Sequence, residues 1–285
     1  MLHKKFKLSS IVEWGTLVGT TLIVCFFLVV IILEIVTKGM GSLSWEFITT
    51  IPKDGMTKGG VLTPIIGTVL ITLITALFSI PFGIFCAIYL NEYAENNGLT
   101  KIIRAAIRNL SGVPSIIYGL FGLALFVQTM QLGTSLLAAG LTLGLLSLPY
   151  IITTTEEALM QIPNSTREAA LAVGATKFET IKDVVIPSAI PGILTGIVLT
   201  LSRAAGETAP ILFTGAAFYI SDTNGYLNQE FMALPYHLYM LSTQHQSIEE
   251  VRPIAYGTAL VLIVVVFLLN LSAFYLRFKF RKNEN

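Results

Sequence analysis

Six stretches of this chain run for about 20 residues each with almost no charge, the length of helix that crosses the hydrocarbon core of a bilayer. Inside that core backbone N–H and C=O groups have no water to bond, so a spanning stretch must be helical. The stretches lie at 14–36, 66–90, 111–130, 135–152, 188–213 and 255–274. Only residues 131–134 separate the third from the fourth, which fits a tight hairpin. Across the chain 54% of residues are hydrophobic and 12% are charged, against about 25% charged in soluble domains. A soluble fold would lack the polar surface to cover so large an apolar core. The expected fold class is therefore an all-α integral membrane protein with six transmembrane helices in the lipid bilayer.

The formal net charge of +1 gives no basic field, so no nucleic-acid partner is expected. Cys25 and Cys86 both sit inside apolar stretches and read as small buried residues, with no disulfide framework or metal motif. Lys4, Lys5 and Lys7 precede the first apolar stretch, as in a signal peptide. Glu34, Ile35, Val36 and Thr37 stand where a cleavage site would be, so a retained first span is expected. Orientation follows from where Lys and Arg fall. Thirteen of the 18 lie on one side: the N-tail (1–13), 91–110 (Lys101, Arg104, Arg108), 153–187 (Arg167, Lys177, Lys182) and the C-tail (276–285). Four lie on the other side (Lys38, Lys53, Lys58, Arg252), and Arg203 is inside the fifth stretch. Both termini are expected in the cytoplasm. Pro81, Pro114, Pro149 and Pro210 mark helices prone to bend.

Residues 164–187, NSTREAALAVGATKFETIKDVVIP, are amphipathic and too polar to span. Ser165 with Glu168, and Thr176 with Glu179, each have capping-box spacing. Gly174 is a natural helix stop, because glycine takes the left-handed turn without strain. Phe178, Ile181 and Val185 form one apolar face, and Pro187 is expected to end the second helix and open the fifth span. That face either packs on the protein's own helices or docks a separate cytoplasmic protein.

Arg203 falls near the middle of the fifth span, where a charge costs from a few to more than about ten kcal/mol unless it meets water or a partner. Glu207 is four residues on, expected one helical turn away on the same face. One reading is an internal salt bridge. The other makes Arg203 an anion ligand, since its planar fork of donors matches an oxyanion and keeps its proton. Glu207 would hold Arg203 and could accept a hydrogen bond from a protonated oxyanion, favouring hydrogen phosphate over sulfate. Ser202 and Thr208 are candidate secondary donors.

Glu168-Ala169-Ala170, then Gly174, then Val184-Val185-Ile186-Pro187 resemble the E-A-A…G…I-x-L-P cytoplasmic loop of ABC-importer permeases, with conservative departures at Val184 and Ile186. The resemblance implies the type I ABC importer permease fold over residues 64–275. It makes 153–187 a coupling-helix hairpin that fits a groove of an ATP-hydrolysing subunit. The run Arg203-Ala204-Ala205-Gly206-Glu207-Thr208-Ala209-Pro210 is similar to the A-type permease of phosphate-specific importers, as are 112–122 and Met232-Ala233-Leu234-Pro235. That likeness implies that Arg203 and Glu207 serve a phosphate pathway. It also implies a heterodimer with a C-type permease subunit, a dimer of ATP-binding subunits, an extracytoplasmic phosphate-binding protein and the bacterial inner membrane as location.

No GxxxxGK[ST] loop is present, so ATP–Mg belongs to a partner and no cofactor is expected on this chain. HExxH, GxSxG and paired intramembrane Asp residues are also missing from the sequence, which argues against an intramembrane enzyme. An importer of another solute and a non-transporting scaffold or sensor subunit remain open. Outer segments 37–63 and 214–253 are long enough to dock something; His237 and His245 in the second read as ordinary polar surface, with no metal expected.

Overall fold

The computed structural model describes residues 8–220 and 227–282. Lys4, Lys5 and Lys7 of the N-tail and Asp222, Asn224, Gly225 and Tyr226 of the outer loop lie outside the described residues. In chain order the elements are α1 (Leu8–Gly39), α2 (Trp45–Thr49), the short strands β1 (Pro52–Lys53) and β2 (Lys58–Gly59), and α3 (Leu62–Ile88). Then come α4 (Gly98–Leu110), α5 (Ser115–Gly122), α6 (Leu136–Met160), α7 (Asn164–Ala172), α8 (Lys177–Glu179) and α9 (Ile186–Ala204). The chain ends with α10 (Ala209–Thr214), α11 (Leu234–Thr243) and α12 (Ile248–Lys282).

Among the described residues, five helical runs are long and apolar enough to cross a membrane: Trp14–Ser42, Leu62–Tyr93, Leu136–Met160, Lys177–Ala204 and Ile248–Ser272. The pair Gly98–Leu110 and Ser115–Thr129, whose limbs meet at 101°, is long and apolar enough only when taken together, which makes the count six if the bent pair is one span and five if it is a re-entrant loop. Pro114 stands at the corner, where its fixed φ of -55° and extended ψ of 137° end one helix and start the next. α4 carries Lys101, Arg104 and Arg108, so the limb that suits lipid is the apolar Ser115–Thr129. The joint at 131–134 is tight, as expected; it turns on Gln131 and Gly133, both at positive φ, and Ser135 caps α6 by accepting from the Ala138 amide.

Three sequence expectations need correction. The fifth stretch, 188–213, is not one helix, because α9 stops at Ala204 and α10 starts at Ala209. Pro187 does not end the second helix of the hairpin. The residues from Lys177 to Ala204 form one 28-residue run, with a π turn over Thr180–Val185 just before the proline. A π turn widens the backbone where proline would otherwise clash with the carbonyl four residues back. Cys25 is exposed on α1 and Cys86 is half-buried, so neither is a core residue.

In lipid, helices gain little from burying apolar surface against one another, and close approach of backbones takes over. The packing of α6 against α3 and α9 follows this rule. A Cβ at Gly196 of α9 would collide with Thr154 of α6. The contact between these two helices carries Ile151, Leu159, Val185, Ile193 and Ile197 in one buried cluster, and it sets the C-terminal turn of α9 beside α6. α1 stands apart from this core and touches α12, where Tyr256 donates to Glu34 at 3.0 Å. Segments 37–63 and 214–253 close on each other: Tyr219 donates to the Pro52 carbonyl, and a His245 ring nitrogen lies 2.9 Å from the Gly55 carbonyl.

Candidate functional site

Arg203 is the penultimate residue of α9. The helix ends there because Gly206 and the following Pro210 support continuation poorly. The amides of Ala205, Gly206 and Glu207 turn back to the carbonyls of Leu201, Arg203 and Ala204 and tighten the last turn. α10 then starts with Pro210 in its first turn, a position that needs no N–H donor. Glu207 therefore lies in a break between two helices rather than one regular turn along a continuous one. The break still brings the carboxylate to the guanidinium: Arg203 Nε lies 3.3 Å from Glu207 Oε1. The pair is unevenly covered, with 49% of the Arg203 side chain exposed and 17% of Glu207.

Tyr150 completes the arrangement, and sequence reasoning missed it. The Arg203 guanidinium lies over its ring, 4.4 Å from the centroid. The Tyr150 hydroxyl donates to the Ser111 carbonyl at 2.7 Å, which ties it to the corner between α4 and α5. A cation over a tyrosine face gains about 0.5–2 kcal/mol. The available signal was a polar-tipped aromatic inside an apolar span, next to Pro149. Ser147 and Thr200 line the same narrow cleft, whose free volume is about 10 Å³, room for one water at most. The two proposed secondary donors lie elsewhere. Ser202 is turned toward α12 and donates to Asn270 Oδ1 at 2.9 Å. Thr208 is the residue before α10 and its hydroxyl makes no cap bond. Chemically the site offers a fixed cation that has one N–H on Glu207 and its face on Tyr150, with about half of the side chain open.

The hairpin of residues 164–187 has a different character. Glu168 and Ala169 are exposed, Ala170 is half-buried and Pro187 is exposed. α7 buries none of its residues. Gly174 takes φ +94° and makes the turn, as its identity suggested. The Thr176–Glu179 capping box forms with both reciprocal bonds. The Ser165–Glu168 box does not form: α7 starts at Asn164, with Pro163 in the cap position and no side-chain cap bond. Ile181 and Val185 of the expected apolar face are buried, whereas Phe178 is turned outward with Leu171 and Val173. The hairpin thus does both things left open by its sequence: it packs its base on the protein's own helices and leaves an apolar edge uncovered at its tip.

In segment 214–253, His237 corrects the surface reading. It is almost fully buried at 1% exposure, and neither ring nitrogen has a hydrogen-bond partner. Burial, with a smaller contribution from His245, lowers its pKa to about 4, so it is neutral near pH 7. His245 is exposed.

Comparison with known proteins places this geometry in a context. The family described as "Binding-protein-dependent transport system inner membrane component" matches residues 79–282. A relative from Bacillus subtilis (strain 168), named a probable ABC transporter permease protein YqgI, is 34% identical over 89% of this chain and 90% of its own length. The phosphate transport system permease protein PstA of Pasteurella multocida (strain Pm70) is 34% identical over 87% of each chain. Among solved structures, a chain of a bacterial ABC transporter involved in import of the acidic polysaccharide alginate aligns with TM-score 0.66 and 14% identity over 94% of this chain and 95% of that one. A chain of the MetNI methionine ABC transporter, in an inward-facing conformation, aligns with TM-score 0.59 and 20% identity over 78% of this chain and 94% of that one.

Proposed function

Since the chain belongs to this family of binding-protein-dependent inner membrane transport components, we propose that it is the A-type permease subunit of an ATP-driven importer of inorganic phosphate. As a family member it is a multi-pass membrane permease subunit. Phosphate as the solute is the finer reading. It is supported by the relatives named phosphate transport system permease protein PstA, at 34–35% identity, and by the chemistry of one site. The observation that carries it is Arg203, a half-exposed guanidinium that lines a narrow cleft beside Glu207 and Tyr150 on the membrane-spanning part of the chain.

In this reading Arg203 is the phosphate ligand, and Glu207 holds it while no anion is bound. When hydrogen phosphate arrives, its oxygens take the guanidinium N–H groups and its own O–H donates to the Glu207 carboxylate. Sulfate, which carries no proton at neutral pH, would meet the same carboxylate with repulsion. Tyr150 must give way first, because the cleft is too narrow for a tetrahedral oxyanion. Ser202 and Thr208 would enter as donors only after rotation of their hydroxyls.

The uncovered apolar edge of the hairpin at Leu171, Val173 and Phe178, with Glu168, Ala169, Ala170 and Gly174 behind it, seats an ATP-binding subunit that uses ATP–Mg. Pro187 lies within the helical run Lys177–Ala204, which leads from that seat to Arg203. The remaining partners of this proposal are a C-type permease, a second ATP-binding subunit and an extracytoplasmic phosphate-binding protein, with both termini of this chain cytoplasmic. A second reading, a permease for another solute, is favoured by the substrate-free name of the Bacillus subtilis relative. ATP hydrolysis by the co-purified complex, compared with phosphate, sulfate and molybdate supplied through the binding protein, separates the two. Stimulation by phosphate alone supports the phosphate reading; stimulation by another of these anions alone refutes it.

A further inference from the structure

The hairpin helix α7 buries no residue of its own, yet one of its side chains is gripped from three directions. Arg167 donates Nη2 to Glu92 Oε1 at 2.7 Å and Nε to Glu92 Oε2 at 3.2 Å, a two-point fork on one carboxylate. The same guanidinium donates to the Ile162 carbonyl at 2.7 Å and the Leu159 carbonyl at 3.1 Å. Glu92 stands on the π turn Tyr89–Tyr93 that ends α3, and Leu159 is in the last turn of α6. Carbonyls at a helix C-terminus lack partners within the helix and form its negative end, so a cation there is favoured. Arg104 of α4 grips the same junction, donating to the Leu90 carbonyl and lying 2.8 Å from Glu156 of α6. That second contact is an ion pair without hydrogen-bond geometry.

We infer that Arg167 is the positioning residue that ties the cytoplasmic hairpin to the membrane helices, so that a displacement of α7 moves the ends of α3 and α6 together. A helix whose packed face is only half-buried gains from such a tie as a lever, and a two-point fork resists rotation as well as separation. α6 carries the motion onward, since its Tyr150 lies against Arg203. The inference rests on the hairpin being the seat of the ATPase, as proposed above, and adds the residue through which that seat is connected.

The test uses the complex of this chain with its ATPase partner in vesicles, measuring co-purification, ATP hydrolysis and phosphate uptake per ATP. Arg167→Lys keeps the charge and loses the fork; Glu92→Gln keeps an acceptor and loses the charge. Both are expected to retain the ATPase and hydrolyse at close to the normal rate, while uptake per ATP falls about tenfold, within the range of measured coupling energies. The exchange of Glu92→Arg with Arg167→Glu is expected to recover part of that ratio. Uptake per ATP unchanged in both single variants overturns the inference. So does a parallel fall of uptake and hydrolysis in proportion to the complex recovered, which would assign the pair to folding alone. Failure of the underlying docking reading is seen separately, as full co-purification of the ATPase after deletion of residues 168–174.

Discussion

Arg167 meets Glu92 with two N–H groups, at 2.7 and 3.2 Å, and donates to two helix-end carbonyls besides. Arg203 meets Glu207 with Nε alone, at 3.3 Å, and lays the face of its guanidinium on Tyr150. The first pair is mostly covered, at 17% and 7% exposure, whereas the second leaves half of its arginine open. The chemistry of the two pairs is the same, so their surroundings decide what each can do. A fully satisfied arginine has nothing left to offer a ligand and works as a fixture. An arginine held by one long contact and a ring can exchange those partners for an incoming anion at small cost.

The largest test of this contrast is stability. Arg167→Ala leaves the Glu92 carboxylate covered and unpaired, and such a break costs about 3–5 kcal/mol; the melting temperature of the purified chain is expected to drop accordingly. Arg203→Ala removes a half-open pair worth at most about 1 kcal/mol and a ring contact worth about 0.5–2 kcal/mol, and is expected to lower melting less than Arg167→Ala. Equal losses from the two substitutions would erase the distinction.

A third ionisable group, His237, meets burial in another way, by staying neutral. Its pKa in the folded chain is lowered to about 4 by burial, from an ordinary value near 6.5. Between these values the unfolded chain binds a proton that the folded chain does not. Stability from this group is therefore complete above pH ~6.5 and declines as pH falls toward ~4, by about 3 kcal/mol at most. Thermal unfolding across that window is expected to lose most of this slope in His237→Leu.

Gly174 sharpens the view of the hairpin as a shaped lever. Its φ of +94° is a conformation that side chains with a Cβ rarely take, so Gly174→Val should cost about 1–3 kcal/mol locally. Reduced recovery of the ATPase partner on co-purification is the expected readout. The smallest effect belongs to Tyr150→Phe. It keeps the ring under Arg203 but loses the bond to the Ser111 carbonyl, worth about 1 kcal/mol. A shift of a few-fold in the phosphate concentration for half-maximal uptake is expected.

The spans were legible because lipid imposes a length and a polarity that few other environments do, and the membrane-fold reading needed little more. Local signals inside the hairpin fared unevenly for a physical reason. Thr176 and Glu179 cap each other in an exposed turn, where nothing competes. Ser165 and Glu168 lie two and five residues past Pro163, and there Arg167, within α7 itself, bonds back to the Ile162 carbonyl that precedes the helix and fixes its entry in place of the local cap. Arg203 stood out as a lone charge in an apolar stretch. Its neighbours did not: Tyr150 and Ser111 come from other helices, and Glu92 is 75 residues from Arg167. Such partners are set by tertiary packing, which no spacing rule encodes. The break at Ala205–Thr208 was hidden because Ala, Gly and Thr are compatible with a membrane helix, so the stretch read as continuous.

We propose that Arg203, held loosely by Glu207 and Tyr150, is the group that binds phosphate on this chain. The most direct measurement is phosphate-stimulated ATP hydrolysis by the complete complex carrying Arg203→Ala, beside the unmodified complex. An assembled complex is expected, with basal hydrolysis retained and stimulation by phosphate lost, by about a hundredfold or more in apparent affinity. Stimulation by phosphate at the concentrations that suffice for the unmodified complex would contradict it.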